Sequence, residues 1–139
     1  MGDLMHPSQT LYHLATKPQD YRRCHVLLRS QGAMHRLAFP TVLADRGDTL
    51  LGFLSTNPND RAIVAGPLVL MTNGHNLGIV AMRLIEAYER VLAMAGVASY
   101  HFAILRGDAF EPWRNIVNRV GIAPYAETET HWWYKRELT

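Results

Sequence analysis

The chain has 139 residues, 48% hydrophobic and 19% charged, the composition of one folded domain and not of a disordered chain. A formal charge of +2, from 14 basic and 12 acidic residues scattered along the sequence, excludes a basic nucleic-acid surface. One cysteine, Cys24, excludes an intrachain disulfide, and no apolar run approaches the ~20 residues that span a bilayer. The start, Met1-Gly2-Asp3-Leu4-Met5-His6-Pro7, has no basic and no apolar signal region, which with the lone thiol predicts a soluble cytoplasmic protein.

Residues 1–9 read as a flexible arm on a single domain covering 1–139. Thr10–Ala15 has strand composition. Thr16-Lys17-Pro18-Gln19 then reads as a capping box, with Thr16 as cap, Pro18 in the first turn and Gln19 reaching back. The helix that follows runs to about Ser30, with Tyr21, Cys24, His25, Leu27 and Leu28 inward. Arg36–Ala44 and Thr49–Thr56 form two strands around Asp45-Arg46-Gly47-Asp48, a hairpin signal. Asn57-Pro58-Asn59-Asp60 turns the chain again.

Arg61–Gly96 organises the rest. Arg61–Met71 is apolar and β-branched enough for a buried strand, bent at Pro67. Thr72-Asn73-Gly74-His75-Asn76 is turn composition. From Leu77, the apolar residues Val80, Ala81, Leu84, Tyr88, Val91, Leu92 and Ala95 hold a helical stripe that Gly96 ends. A turn feeding a helix presents unpaired N–H groups and a positive dipole end, a seat for phosphate. Gly74 and Gly78 allow close approach there; equally, any strand–turn–helix unit needs such a turn.

Ser99–Leu105 is a strand with Tyr100, Phe102 and Ile104 on one face and His101 and Ala103 on the other. After Arg106-Gly107-Asp108 a shorter helix turns Trp113, Ile116, Val117 and Val120 inward, capped by Asp108 or Glu111 and closed by Gly121. Thr128–Lys135 is the final strand, with Trp132 and Tyr134 on one face and Trp133 on the other. The order is β-α-β-β-β-α-β-α-β: an α/β (α+β) domain with a mixed, mostly antiparallel central sheet and helices on both faces. Each long helix is expected to join parallel strands by a right-handed crossover.

This order, the hairpin ending in Leu50-Leu51-Gly52-Phe53 and the central strand–turn–long-helix unit resemble the GNAT superfamily of acetyl-CoA-dependent N-acetyltransferases. So does the second helix, ending in Val120-Gly121-Ile122 before the last strand. The resemblance covers residues 10–138 and rests on the pattern of elements more than on motif letters. It implies a turn that binds the coenzyme A pyrophosphate, with Gln or Arg, two free positions, Gly, one free position and Gly or Ala. Aligned on Glu86-Ala87, these positions fall on Asn76, Ile79 and Ala81, with Gly78 one residue out of register. The implied cofactor-binding set is Met71, Asn73, Gly74, Asn76, Leu77, Gly78, Ile79 and Ala81, with Met71 meeting the pantetheine through its backbone. Val117 stands where the family often has a tyrosine acid, and Ile122 replaces a Phe. Arg61–Met71 holds no carboxylate to act as base.

The remaining catalytic candidates are His101, Tyr125 and Asp108, although an ordinary structural role is the default reading of each. Seven histidines form no His-x-x-x-His pair with a nearby carboxylate, so no metal is expected. The resemblance implies acetyl transfer from acetyl-CoA to a small-molecule or protein amine, without nucleic acid or membrane. A second reading is a non-catalytic protein that kept the fold and lost the site. In size and eroded motifs the chain is similar to small GNAT-like proteins among the virion and internal proteins of short-tailed phages, which would place it in a virion assembly or a homo-oligomer. A coenzyme A-binding sensor is a third.

Overall fold

The computed structural model describes residues 9–32, 34–58, 68–72, 77–107, 111–119 and 121–138; for 68–72, 77, 105, 112 and 113 it describes the backbone alone. The elements are β1 (Leu11–Leu14), α1 (Pro18–Ser30), β2 (Ala38–Arg46), β3 (Thr49–Thr56), β4 (Leu68–Thr72), α2 (Leu77–Met94), β5 (Ser99–Leu105), α3 (Glu111–Arg119), β6 (Ala126–Glu127) and β7 (His131–Glu137). They build two sheets, β1-β2-β3-β4 and β5-β7-β6. The expected strand over Arg61–Pro67, the turn residues Asn73–Asn76, and Asp108 and Val120 lie outside the described residues.

All five ladders among the described residues are antiparallel. The expected parallel crossover through α1 is therefore corrected: β1 pairs directly and antiparallel with β2, Leu14 opposite Val42. Residues 31–37 can span about 25 Å, long enough to carry the chain back past the helix before β2 begins. The cap of α1 is also one residue later than expected. Lys17 is the N-cap, and the Asp20 carboxylate accepts from the backbone N–H groups of Thr16 (3.1 Å) and Lys17 (3.3 Å), so Gln19 is not the residue that reaches back.

Two irregularities in the β2–β3 ladder decide which side chains face which helix. Leu51 is an extra residue between the pairs Ala44–Gly52 and Asp45–Leu50. Strict alternation would put Leu51 and Phe53 on one face; the bulge sends Leu51 and Leu54 to the α2 side and Phe53 and Leu50 to the α1 side. At the other end, Phe39 and Pro40 are extra residues in β2, a position where proline's missing N–H is tolerated. There the buried hydroxyls of Thr41 and Ser55 meet at 2.5 Å, and Thr41 donates to the Ala38 carbonyl at 2.8 Å, so both buried hydroxyls are satisfied at the bulge.

α2 lies over the sheet through Val80, Ala81, Leu84, Tyr88 and Leu92, all at most 2% exposed. It meets Val42, Ala44 and Leu54 from the first sheet and Tyr100, Phe102, Trp132 and Tyr134 from the second, with Val117 of α3. Val91 is only partly buried, at the margin of the stripe. The Tyr88 hydroxyl bonds Thr56 Oγ1 at 2.6 Å inside this core, and burial pushes the phenol up to about 12. α1 closes the opposite face, where Cys24, Leu27 and Leu28 meet Leu43 and Phe53. β6, absent from the sequence expectation, is two residues paired to Trp132 and Trp133 near the start of β7, too short to show as a periodic run.

Candidate functional site

β4 and β5 follow one another in sequence across α2, yet among the described residues no ladder joins them. Among those residues each is paired on one side only, β4 to β3 and β5 to β7. The described strands thus form two sheets, with a gap in the pairing between β4 and β5 and one strand edge on each without a described ladder partner. α2 begins at Leu77, five residues beyond the end of β4, and its first-turn N–H groups have no intrahelical acceptor.

At the helix start, a Cβ added at Gly78 would meet no described atom within 4 Å, and Ile79 is 65% exposed. Ala81, two residues on and so about 200° around the helix, is fully buried against the sheet. The β-branched Ile79 side chain therefore points to solvent, away from the sheet. Met71 lies in β4 opposite Phe53. Of the remaining cofactor-binding candidates, Leu77 is described by its backbone, while Asn73, Gly74 and Asn76 are outside the described residues.

On β5 and β7 the even-numbered residues Phe102, Trp132 and Tyr134 join the α2 core, so His101, Ala103, His131 and Trp133 share the opposite face. The ring centroids of His101 and Trp133 are 6.5 Å apart at 90°, and those of His131 and Trp133 are 5.6 Å apart. Thr130 Oγ1 bonds His131 Nδ1 at 2.8 Å and orients that ring. Of the three catalytic candidates, His101 alone stands on a strand bordering the gap. Tyr125 is 59% exposed and its N–H donates to the Trp133 carbonyl, which puts it on the β6 side of β7, about 10 Å from β5. Asp108 is outside the described residues.

No family model matches the sequence, and no curated protein matches it. Solved structures do. A protein described as an acetyltransferase of the GNAT family from Desulfovibrio desulfuricans superposes with a TM-score of 0.74 at 14% identity, over 94% of this chain and 100% of that one. The chain has the GNAT fold. An N-acetyltransferase from Staphylococcus aureus Mu50 (TM-score 0.71, 10% identity, 95% and 100% covered) shares it. So does the aminoglycoside 6'-N-acetyltransferase from Enterococcus faecium (0.70, 14%, 93% and 97%).

Two charged clusters escaped the sequence reading. Asp45 accepts from Arg23 on α1 (Nη1 at 3.2 Å, with a second, shorter contact from Nη2) and lies 2.6 Å from His13 Nε2 on β1. Burial raises its carboxyl, but the Arg23 and His13 bonds outweigh that and hold it below the ordinary carboxylate value. Glu89 on α2 accepts from the Tyr100 hydroxyl (2.5 Å) and Arg136 Nε (2.9 Å), and burial with this carboxylate drives the Tyr100 phenol up. Both clusters tie helices to strands. Among the described residues no group of three His, Cys, Asp or Glu could hold a metal, and no helix is long and apolar enough to cross a membrane.

Proposed function

We propose that this chain is a GNAT-like N-acyltransferase that moves an acetyl group from acetyl-CoA to an amine. The observation that supports this reading is that, among the described residues, β4 and β5 share no ladder and α2 starts just beyond the end of β4 with room beside Gly78. These features suit coenzyme A: strand edges can bond an extended amide arm, and the free N–H groups of a helix start can bond a diphosphate. The backbone of Met71 would hold the arm, and the N–H groups of Leu77, Gly78 and Ile79 would hold the diphosphate. The thioester supplies an acyl carbon activated toward nitrogen. The β4 edge orients and polarises the acyl carbonyl, and His101 or water takes the proton lost by the amine as the C–N bond forms and the C–S bond breaks. A cytoplasmic location belongs to the same reading, with Cys24 kept as a buried thiol.

Val117 favours the alternative, a non-catalytic GNAT-fold structural or virion-associated protein, because the residue at the position of the family's acid is a core valine, 5% exposed. The two readings part in one assay: amine-dependent release of thiol from acetyl-CoA, with the acetylated amine detected by mass spectrometry. Transfer to any member of a panel of aryl amines, polyamines and peptide N-termini supports the enzyme. No transfer to the whole panel refutes it.

A further inference from the structure

On the β5–β7 face that carries His101, the register places Ala103 directly across from Trp133. Ala103 is the smallest side chain on that face of β5, and it sits on the strand that borders the gap, between His101 and Leu105. A small residue beside a tryptophan leaves a shallow seat, walled by Trp133 and flanked by His101 and His131. α1, the helix on this side, closes a core over β2 and β3 that contains no residue of β5 or β7. Both Ala103 and Trp133 are accordingly half-exposed. Charge narrows the occupant. The single carboxylate of β5 and β7 is Glu137, which pairs with Lys135 at 3.4 Å and stands four residues, about 13 Å, along the strand from Trp133.

Resting on the acyltransferase reading, we propose that the acceptor is an amine bearing a flat aromatic group, which stacks over Ala103 against Trp133. The amine then points toward the β4–β5 gap, beside His101. Among the described residues of this face, a polyamine or an aminoglycoside would find two imidazoles and a lysine, with no unpaired carboxylate on β5 or β7 to pair its charges. An aromatic ring finds a π-faced wall that needs no counter-charge.

The experiment titrates tryptamine, 2-phenylethylamine and spermidine calorimetrically into the full chain, and titrates acetyl-CoA separately without amine. Ala103→Leu, which fills the seat, is expected to weaken aryl-amine binding about tenfold, the upper end for an aromatic contact. Trp133→Leu should do the same, Trp133→Phe should restore most of the affinity, and the remote surface change Met94→Ala should have no effect. Spermidine should bind far more weakly than tryptamine. Equal binding of spermidine and tryptamine, or aryl-amine binding unchanged in a folded Ala103→Leu protein, overturns the proposal even when acetyl-CoA binds. Acetyl-CoA that fails to bind refutes the acyltransferase reading instead, whatever the amines do.

Discussion

Leu84→Ala tests the packing on which the gap depends. Leu84 is fully buried on α2, in the cluster that joins both sheets across their split. The substitution removes three carbons, worth about 2.4 kcal/mol at about 0.8 kcal/mol per buried methylene. A residual cavity adds to this, since residues on three sides belong to rigid strands and cannot all collapse inward, so the total should fall near 3–4 kcal/mol, inside the range of about 2–5. With an unfolding entropy of about 2.1 cal/mol/K per residue, the 139 residues give about 0.3 kcal/mol/K, and the melting temperature should fall by about 10–14 °C. Urea unfolding followed by circular dichroism reads the effect, as a lower midpoint at unchanged slope. Glu86→Ala, on the solvent side with a 55% exposed side chain, is the control and should stay within about 0.5 kcal/mol. A Leu84→Ala cost no larger than the control's would show that this face of α2 is not the one that holds the two sheets together.

Other expectations follow from single groups. Ile79→Gly should change acetyl-CoA affinity less than about threefold, because the exposed side chain points to solvent away from the sheet, while lowering stability by up to about 1 kcal/mol; binding abolished in Ile79→Gly would show that the side chain is part of the seat. Asp45 has its carboxyl lowered in the folded state, so its contribution is complete above the unfolded value of about 3.9 and is lost as pH falls through the lower folded one. The stability gap between wild type and Asp45→Asn should therefore be widest near neutrality and narrow below about pH 4; a gap independent of pH would contradict the pairing with Arg23 and His13. Cys24 is fully buried and its thiol is pushed up to about 12 by burial, so a thiol reagent at mildly alkaline pH should modify it only as fast as the protein opens. Modification of the native protein at the rate of a free thiol would place α1 wrongly.

Much of the fold was legible because its elements carry their own periodicity. The α2 stripe from Val80 to Leu92 and the two-sided β7, with Trp132 and Tyr134 inward and Trp133 outward, follow from spacing alone. The features that set the site do not. An inserted residue such as Leu51 shifts the facing of its neighbours without altering composition. That Ala103 lies across from Trp133 depends on a register between strands about thirty residues apart, which local pattern cannot carry. The antiparallel β1–β2 pair was missed because a strand–helix–strand order normally implies a parallel crossover, and the path of the chain through residues 31–37 leaves no compositional mark. Asp45 read as a turn residue; its role appears only when α1 brings Arg23 over it. The gap itself is an absence of pairing between β4 and β5 among the described residues, and an unmade ladder has no sequence signature.

Calorimetric titration of acetyl-CoA, repeated with desulfo-CoA, tests the central claim most directly. If the β4–β5 edges and the α2 start form a coenzyme A seat, both ligands should bind at one site per chain, and each should raise the melting temperature in step with RT ln(1 + [L]/Kd). No heat and no thermal shift at millimolar concentrations of either ligand would contradict the account and leave a protein with the fold of the acetyltransferases but not their chemistry.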